Sequence, residues 1–261
     1  MRTISLIKSD NFTEDFYKNY SVFKHGSKRV ARQFGFEVGD VCEFPENSHL
    51  IIYPAPYSNV VTASSSFKDY LLARCTKQFM NKNITVRQSK VDRKYSYSSD
   101  YGKMNAAERA KAISSDIFYI DKNFINEQDI LVFIDDIKIT GSHEKRIIEV
   151  LEREDIKNDV IFIYIAEYTG NNPAVEHELN HRSVNSLKDV NYIIRNDEFL
   201  FNTRVIKYIL AADIEHFVSF ITYQSVPFCE TLFALSVLNN YHTNSKYSTN
   251  FNILKDFLKK L

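Results

Sequence analysis

The stretch that most constrains the fold is ILVFIDDIKITGSHEKR, Ile130 to Arg146. Ile130, Leu131, Val132, Phe133 and Ile134 form a continuous apolar run, the pattern of a strand covered on both faces, because a strand with one wet face alternates instead. Asp135 and Asp136 follow at its carboxyl end, where open parallel sheets place their ligands. Thr140, Gly141 and Ser142 then lead into a helix that starts near His143. Backbone N–H groups and the positive helix end can converge there on an anion. The segment reads as a phosphate cup beside two acids. Its ordinary alternative is a polar strand end with a helix cap at Ser142.

The rest of the chain supplies the helices that such a strand needs. Helical spacing covers about Thr13 to Phe36 and is followed by a strand near Leu50 to Tyr53, a helix near Ser66 to Met80 and a short strand near Ile84 to Arg87. After a polar gap come a helix near Asn105 to Ile113, a strand at Ile117 to Ile120, the acid-bearing strand and a helix over Glu144 to Glu154. Strand Val160 to Ile165, a helix opening at Pro173 and a strand at Val190 to Ile194 complete the alternation. The pattern predicts an α/β fold, a mainly parallel sheet with helices on both faces. From about Asp197 only helices follow, including Val226 to Leu238 and Phe251 to Leu261. The expected organisation is a core over residues 1–196 and a helical extension over 197–261.

With these elements placed, the acid-pair segment resembles the phosphoribosyl diphosphate signature of type I phosphoribosyltransferases. Asp135, Asp136, Thr140 and Gly141 match its pattern, and His143 stands where many members carry Thr. Ile139 takes the place where some purine-salvage members carry a catalytic Asp. LIIYPAP, Leu50 to Pro56, and SNVVTASSSFKDYLLAR, Ser58 to Arg74, are similar in order to the pyrophosphate loop and following helix of ComF-like amidophosphoribosyltransferase relatives. Those relatives carry Arg-Gly before the Phe, whereas Ser65 and Ser66 precede Phe67 here. Met104 to Ala112 resembles the segment after their mobile loop, with Arg109 at a matching position. Tyr20 to Gly35 resembles their hood entry. Together the matches span roughly the first two-thirds of the chain.

The resemblance implies a type I phosphoribosyltransferase fold and transfer of 5-phosphoribose from phosphoribosyl diphosphate to a nitrogenous acceptor, with release of pyrophosphate. It implies that Asp135 and Asp136 hold the ribose hydroxyls and Mg²⁺, directly or through water. Ile137, Lys138, Ile139, Thr140, Gly141, Ser142 and His143 would form the 5-phosphate loop. Ala55, Pro56, Tyr57 and Ser58 would form the pyrophosphate loop, for which a plain strand terminator at Pro54 and Pro56 is the alternative. Arg87, Lys90, Arg93, Lys94 and Arg109 belong to the mobile-loop region. Gln88 to Lys103 is long, polar and without apolar periodicity, so it reads as a lid or a solvated loop. A regulator that binds the donor or a nucleotide without turnover is the second reading of the same site.

Bulk properties exclude several other classes. Lys plus Arg equals Asp plus Glu at 33 each, so no overall basicity calls for nucleic acid. No apolar run approaches the roughly 20 residues of a membrane span. The start lacks a signal-peptide pattern. Cys42, Cys75 and Cys229 are too dispersed for a disulfide framework or a zinc cluster. A reducing cytoplasm is expected, and a homodimer stays open. The composition is aromatic, with 16 Tyr, 20 Phe and no Trp.

One motif points elsewhere. His177-Glu178-Leu179-Asn180-His181 matches the H-E-x-x-H pattern of zinc peptidases. On one continuous helix, Val175, Leu179, Leu187 and Val190 would share an arc and leave both His in solvent. Arg182 follows the second His, and Glu198 is only a formal third ligand.

Overall fold

The computed structural model describes residues 1–94, 117–172 and 174–260. Its centre is a five-stranded sheet whose neighbouring pairs are all parallel. In chain order the strands are β1 (Arg2–Ser9), β2 (His49–Pro54), β3 (Thr85–Gln88), β6 (Asp129–Lys138) and β7 (Val160–Tyr168). Across the sheet the order is β1-β7-β6-β2-β3. A separate antiparallel ribbon joins β4 (Asp92–Lys94) to β5 (Ile117–Tyr119).

The apolar run at Ile130 to Ile134 is the middle of the middle strand. Val132 and Ile134 pack with Ile161 and Ile163 against α1 (Glu14–Lys24), α2 (Lys28–Val41) and α3 (Ala63–Asn81). Leu131 and Phe133 face the other way, onto Ile147, Val150 and Leu151 of α4 (Ser142–Arg153). Period-two alternation thus serves two cores at once, which is why no polar residue interrupts the run. On the α4 side, rings form a ladder from Tyr53 to Phe133 (5.0 Å), Phe162 (5.4 Å) and Tyr164 (6.5 Å).

Four sequence expectations change. The helical pattern at Thr13 to Phe36 is two helices, broken where Gly26 takes φ +98°; a Cβ there would lie 2.5 Å from the Leu200 carbonyl oxygen. Ser27 starts α2 by accepting from the Val30 N–H at 3.2 Å. The chain also opens with a strand, β1, whose half-exposed edge position gives it no continuous apolar run. Val190 to Ile194 is not a strand but lies inside the helix at Leu187–Asn196. Leu187, Val190 and Ile193 are its buried stripe, and Ser186 with Asp189 closes a capping box. Finally, part of the polar stretch after Gln88 is ordered as β4. The predicted helix at Asn105 to Ile113 and the segment Met104 to Ala112 lie outside the described residues, as does Pro173.

Among the described residues the remaining α-helices, in chain order, are α5 (Val175–His181), α6 (Leu187–Asn196), α7 (Thr203–Leu210), α8 (Ile214–Thr222), α9 (Val226–Leu238) and α10 (Ser245–Leu258). From α6 on they share one apolar cluster, which also takes in Val60 from the loop after β2. Buried Asp197 ties this cluster to α2, accepting from the Ser27 hydroxyl (2.7 Å) and the Arg29 Nε (3.0 Å). Among the described residues no helix is long and apolar enough to cross a membrane.

Candidate functional site

β2 ends at Pro54, opposite Ile134, while β6 runs on beside β7 as far as Lys138. The two acids therefore stand beyond the edge of β2, on a strand still held from one side. Neighbouring strand residues face opposite ways, and the acids do so here rather than pointing together at one ligand. Asp135 faces α4, and its Oδ2 lies 3.0 Å from Nδ1 of His143. A carboxylate at that nitrogen requires the ring to carry its proton there. Oδ1 of Asp135 accepts from the Asp136 N–H at 2.8 Å. Burial opposes ionisation of Asp135, but the hydrogen bond and charge of His143, the charge of Lys24 and that N–H outweigh it. The carboxyl is held below its ordinary range.

Asp136 faces α1, where its side chain is 8% exposed and forms an ion pair with the Lys24 ammonium. Its other oxygen accepts from the Tyr20 hydroxyl at 2.9 Å. Burial, then the charge of Asp136, pushes the Tyr20 phenol well above its usual pKa, so it stays a donor. Tyr20 and Lys24 were legible only as an i, i+4 pair within the hood-like segment; the partner they share lies far along the chain.

After the acids, Ile137 and Ile139 turn inward and pack on the α1–α3 side of the sheet. Lys138 pairs with Glu144 at 2.8 Å. Glu144 also accepts from the Tyr164 hydroxyl at 2.9 Å. Gly141 adopts φ 70°, ψ 10° and caps α4, whose first N–H, on Ser142, donates to the Thr140 hydroxyl at 3.4 Å. A Cβ on Gly141 would meet nothing nearer than the Lys138 Cε at 3.5 Å, so it is the left-handed backbone, not space, that calls for glycine. The Thr140 and Ser142 hydroxyls lie 2.7 Å apart over this turn.

Across a narrow cleft lies the turn after β2: Pro54, Ala55 and Pro56 line it together with Asp135, His143 and Glu144. The turn is laced to the ribbon. The Tyr57 N–H donates to the Val91 carbonyl (3.3 Å), and the Arg93 N–H to the Tyr57 carbonyl (3.1 Å). Lys90 donates to the Ser58 carbonyl at 3.1 Å and pairs with Asp92 at 2.6 Å. The Arg93 guanidinium lies 5.9 Å from the Phe118 ring, whose centre is 6.4 Å from that of His143.

The structure thus gathers Ala55, Pro56, Tyr57, Ser58, Lys90 and Arg93 with Asp135 and His143. Lys94 is exposed on the ribbon, opposite Ile117. Arg87 does not join them. It sits in β3, bonded to buried Asp129 at 2.5 Å and to the Phe124 carbonyl at 3.2 Å, at the opposite end of β6. Arg109 lies outside the described residues. Ser65 and Ser66 fall in the first turn of α3.

The H-E-x-x-H segment is α5, and the single arc read from the sequence is two helices, broken between His181 and Leu187. His177 is exposed, but His181 is half-buried, with its ring 6.1 Å from Tyr208 and 6.3 Å from His25. Glu198 is engaged by Lys28 at 3.1 Å. Among the described residues no three His, Cys, Asp or Glu side chains are grouped to hold a metal ion.

No protein of curated function matches the chain in sequence. Among solved structures, a hypoxanthine phosphoribosyltransferase from Staphylococcus aureus aligns at 14% identity over 61% of this chain and 77% of its own, with a TM-score of 0.30. One from Trypanosoma cruzi aligns at 14% identity over 62% and 77%, with a TM-score of 0.27. The PRTase ComF-like family matches residues 3–254, nearly the whole length, including the acid-bearing strand, the Gly141 turn and the C-terminal helices. The chain belongs to this ComF-like family of phosphoribosyltransferases.

Proposed function

We propose that the chain binds 5-phosphoribosyl diphosphate and transfers its phosphoribosyl group to a nitrogen nucleophile, releasing pyrophosphate. The observation that carries this reading is Gly141: a left-handed residue at the start of α4, a short turn away from a carboxylate that opens on the cleft. The N–H groups of that turn suit the 5-phosphate. Asp135 suits the ribose hydroxyls, and the Ala55–Ser58 turn with Lys90 and Arg93 suits the pyrophosphate. Asp136 would fasten α1 and Lys24 behind the site rather than touch the sugar. Catalysis would consist of positioning and charge stabilisation as positive charge develops at the anomeric carbon.

Mg²⁺ fits this donor set in one mode. Two carboxylates, Asp135 and Glu144, line the cleft, but Glu144 is paired with Lys138 and Asp136 is neutralised by Lys24, so most of the oxygen ligands would come from the diphosphate and water. When bound, the ion supplies charge neutralisation for the leaving pyrophosphate.

A donor-binding regulator without turnover is favoured by one specific pair of observations. Both Asp136 oxygens already have partners, buried Tyr20 and half-buried Lys24, and Ile139 packs inward beside Thr140. Pyrophosphate release measured with Mg²⁺ and a panel of purines, pyrimidines and amines separates the two. Release that depends on one acceptor supports transfer; donor binding by calorimetry with no release supports the regulator. Failure to bind either the donor or ribose 5-phosphate overturns the site itself.

A further inference from the structure

The turn proposed to meet the pyrophosphate is held from behind by the C-terminal helices. Asn239, the residue that ends α9, uses its Oδ1 to accept from the Asn59 N–H at 3.2 Å and the Val60 N–H at 2.9 Å. Its Nδ2 donates to the Tyr241 hydroxyl at 2.8 Å, which fixes which way the amide points. The Asn59 Nδ2 returns a bond to the Leu238 carbonyl at 2.7 Å. Val60 is buried in the helical cluster, and the Thr203 N–H donates to the Val61 carbonyl at 2.9 Å. Three successive residues, Asn59 to Val61, are therefore fixed to the extension, immediately after Ser58.

We propose that Asn239 is a positioning residue for pyrophosphate: by clamping the Asn59 and Val60 N–H groups it fixes the Ser58–Asn59 and Asn59–Val60 peptide planes, and so anchors the end of the Ala55–Ser58 turn opposite Asp135. This rests on the reading of that turn given above. A turn already held in its bound shape loses less freedom when an anion docks on it. The clamp is specific to one half of the ligand, because the Gly141 turn lies across the cleft and shares none of these bonds.

The test is calorimetry of inorganic pyrophosphate with Mg²⁺, and separately of ribose 5-phosphate, on the full chain. Asn239→Ala should weaken pyrophosphate binding about fivefold to tenfold, the size of one or two net hydrogen bonds, and leave ribose 5-phosphate unchanged. Asn239→Asp, which keeps the accepting oxygen, should restore it. Exposed Asn59→Ala removes the return bond without touching Asn239, and should show a smaller loss of the same selectivity should the first variant fold poorly. Unchanged pyrophosphate binding in both Ala variants, or equal loss of both ligands, overturns the proposal. Wild-type protein that binds ribose 5-phosphate but not pyrophosphate also overturns it while leaving the phosphate cup intact; binding neither overturns the underlying reading.

Discussion

Asp135 and Asp136 are adjacent in sequence, yet the pleat gives them different work. Asp135→Asn should weaken donor binding by about 1.5–3 kcal/mol, the worth of a hydrogen bond to a charged group, with little change in the denaturant midpoint. Asp136→Asn should instead lower stability by roughly 3 kcal/mol, because Lys24 is left charged beside α1 without its partner; chemical denaturation distinguishes the two. Gly141→Val forces a branched side chain into the left-handed region and should abolish ribose 5-phosphate binding in a folded protein. His25 offers a different test. Its ring is buried with Nδ1 2.8 Å from the Ser21 carbonyl and Nε2 unpartnered, and burial, ahead of the charges of Arg204, His181 and Lys24, pushes its pKa down to about 3. Above the unfolded value of about 6.5 neither state is charged and nothing is lost. As pH falls from there toward 3, only the unfolded chain takes up the proton, so stability declines by on the order of 4 kcal/mol. Urea midpoints at pH 7 and pH 4 should converge in His25→Phe.

At the scale of elements, what the sequence revealed and what it hid follow from burial. β6 and β7 were legible because both faces are covered, so composition alone marks them. β1 was not, since an edge strand with one half-wet face carries a diluted signal. The helix at Leu187–Asn196 was mistaken for a strand because Val190 to Ile194 is β-branched and short, although Ser186 and Asp189 announced a helix start. The Gly141 turn could be read because glycine, a helix start and a strand end coincide in a few residues. The partners of Asp136 could not, since Tyr20 and Lys24 reach it only through the tertiary fold. The break between α1 and α2 is set by Gly26, where φ +98° and the Leu200 carbonyl leave no room for a side chain. Gly26→Ala should cost more than about 2 kcal/mol, read from the thermal midpoint, with the loss shared between the sheet core and the helical cluster that meet there.

For the whole molecule, the C-terminal helices are not an appendage that can be removed. Val60 lies in their cluster, Ser27 and Arg29 are bonded to Asp197, and Asn59 is bonded to Leu238. A chain ending at Asn196 would expose that apolar surface and orphan those groups. It should be recovered aggregated, or with greatly reduced helical signal, by size exclusion and circular dichroism; a well-folded monomer would contradict this. The sheet order carries a consequence for how the protein is made. Of the described strands β1 leaves the ribosome before the others, and its sheet neighbour among them is β7, with Arg2 paired to Ile161. At a synthesis rate of about 5–20 residues per second, that partner emerges roughly 10–30 s later. β2 and β3 can pair early, but neither contacts β1, and the strand between them and β7 is itself late. Nascent β1 therefore waits as an unpaired strand until β7 emerges, the state in which a parallel sheet is most open to capture by chaperones or by a neighbouring chain.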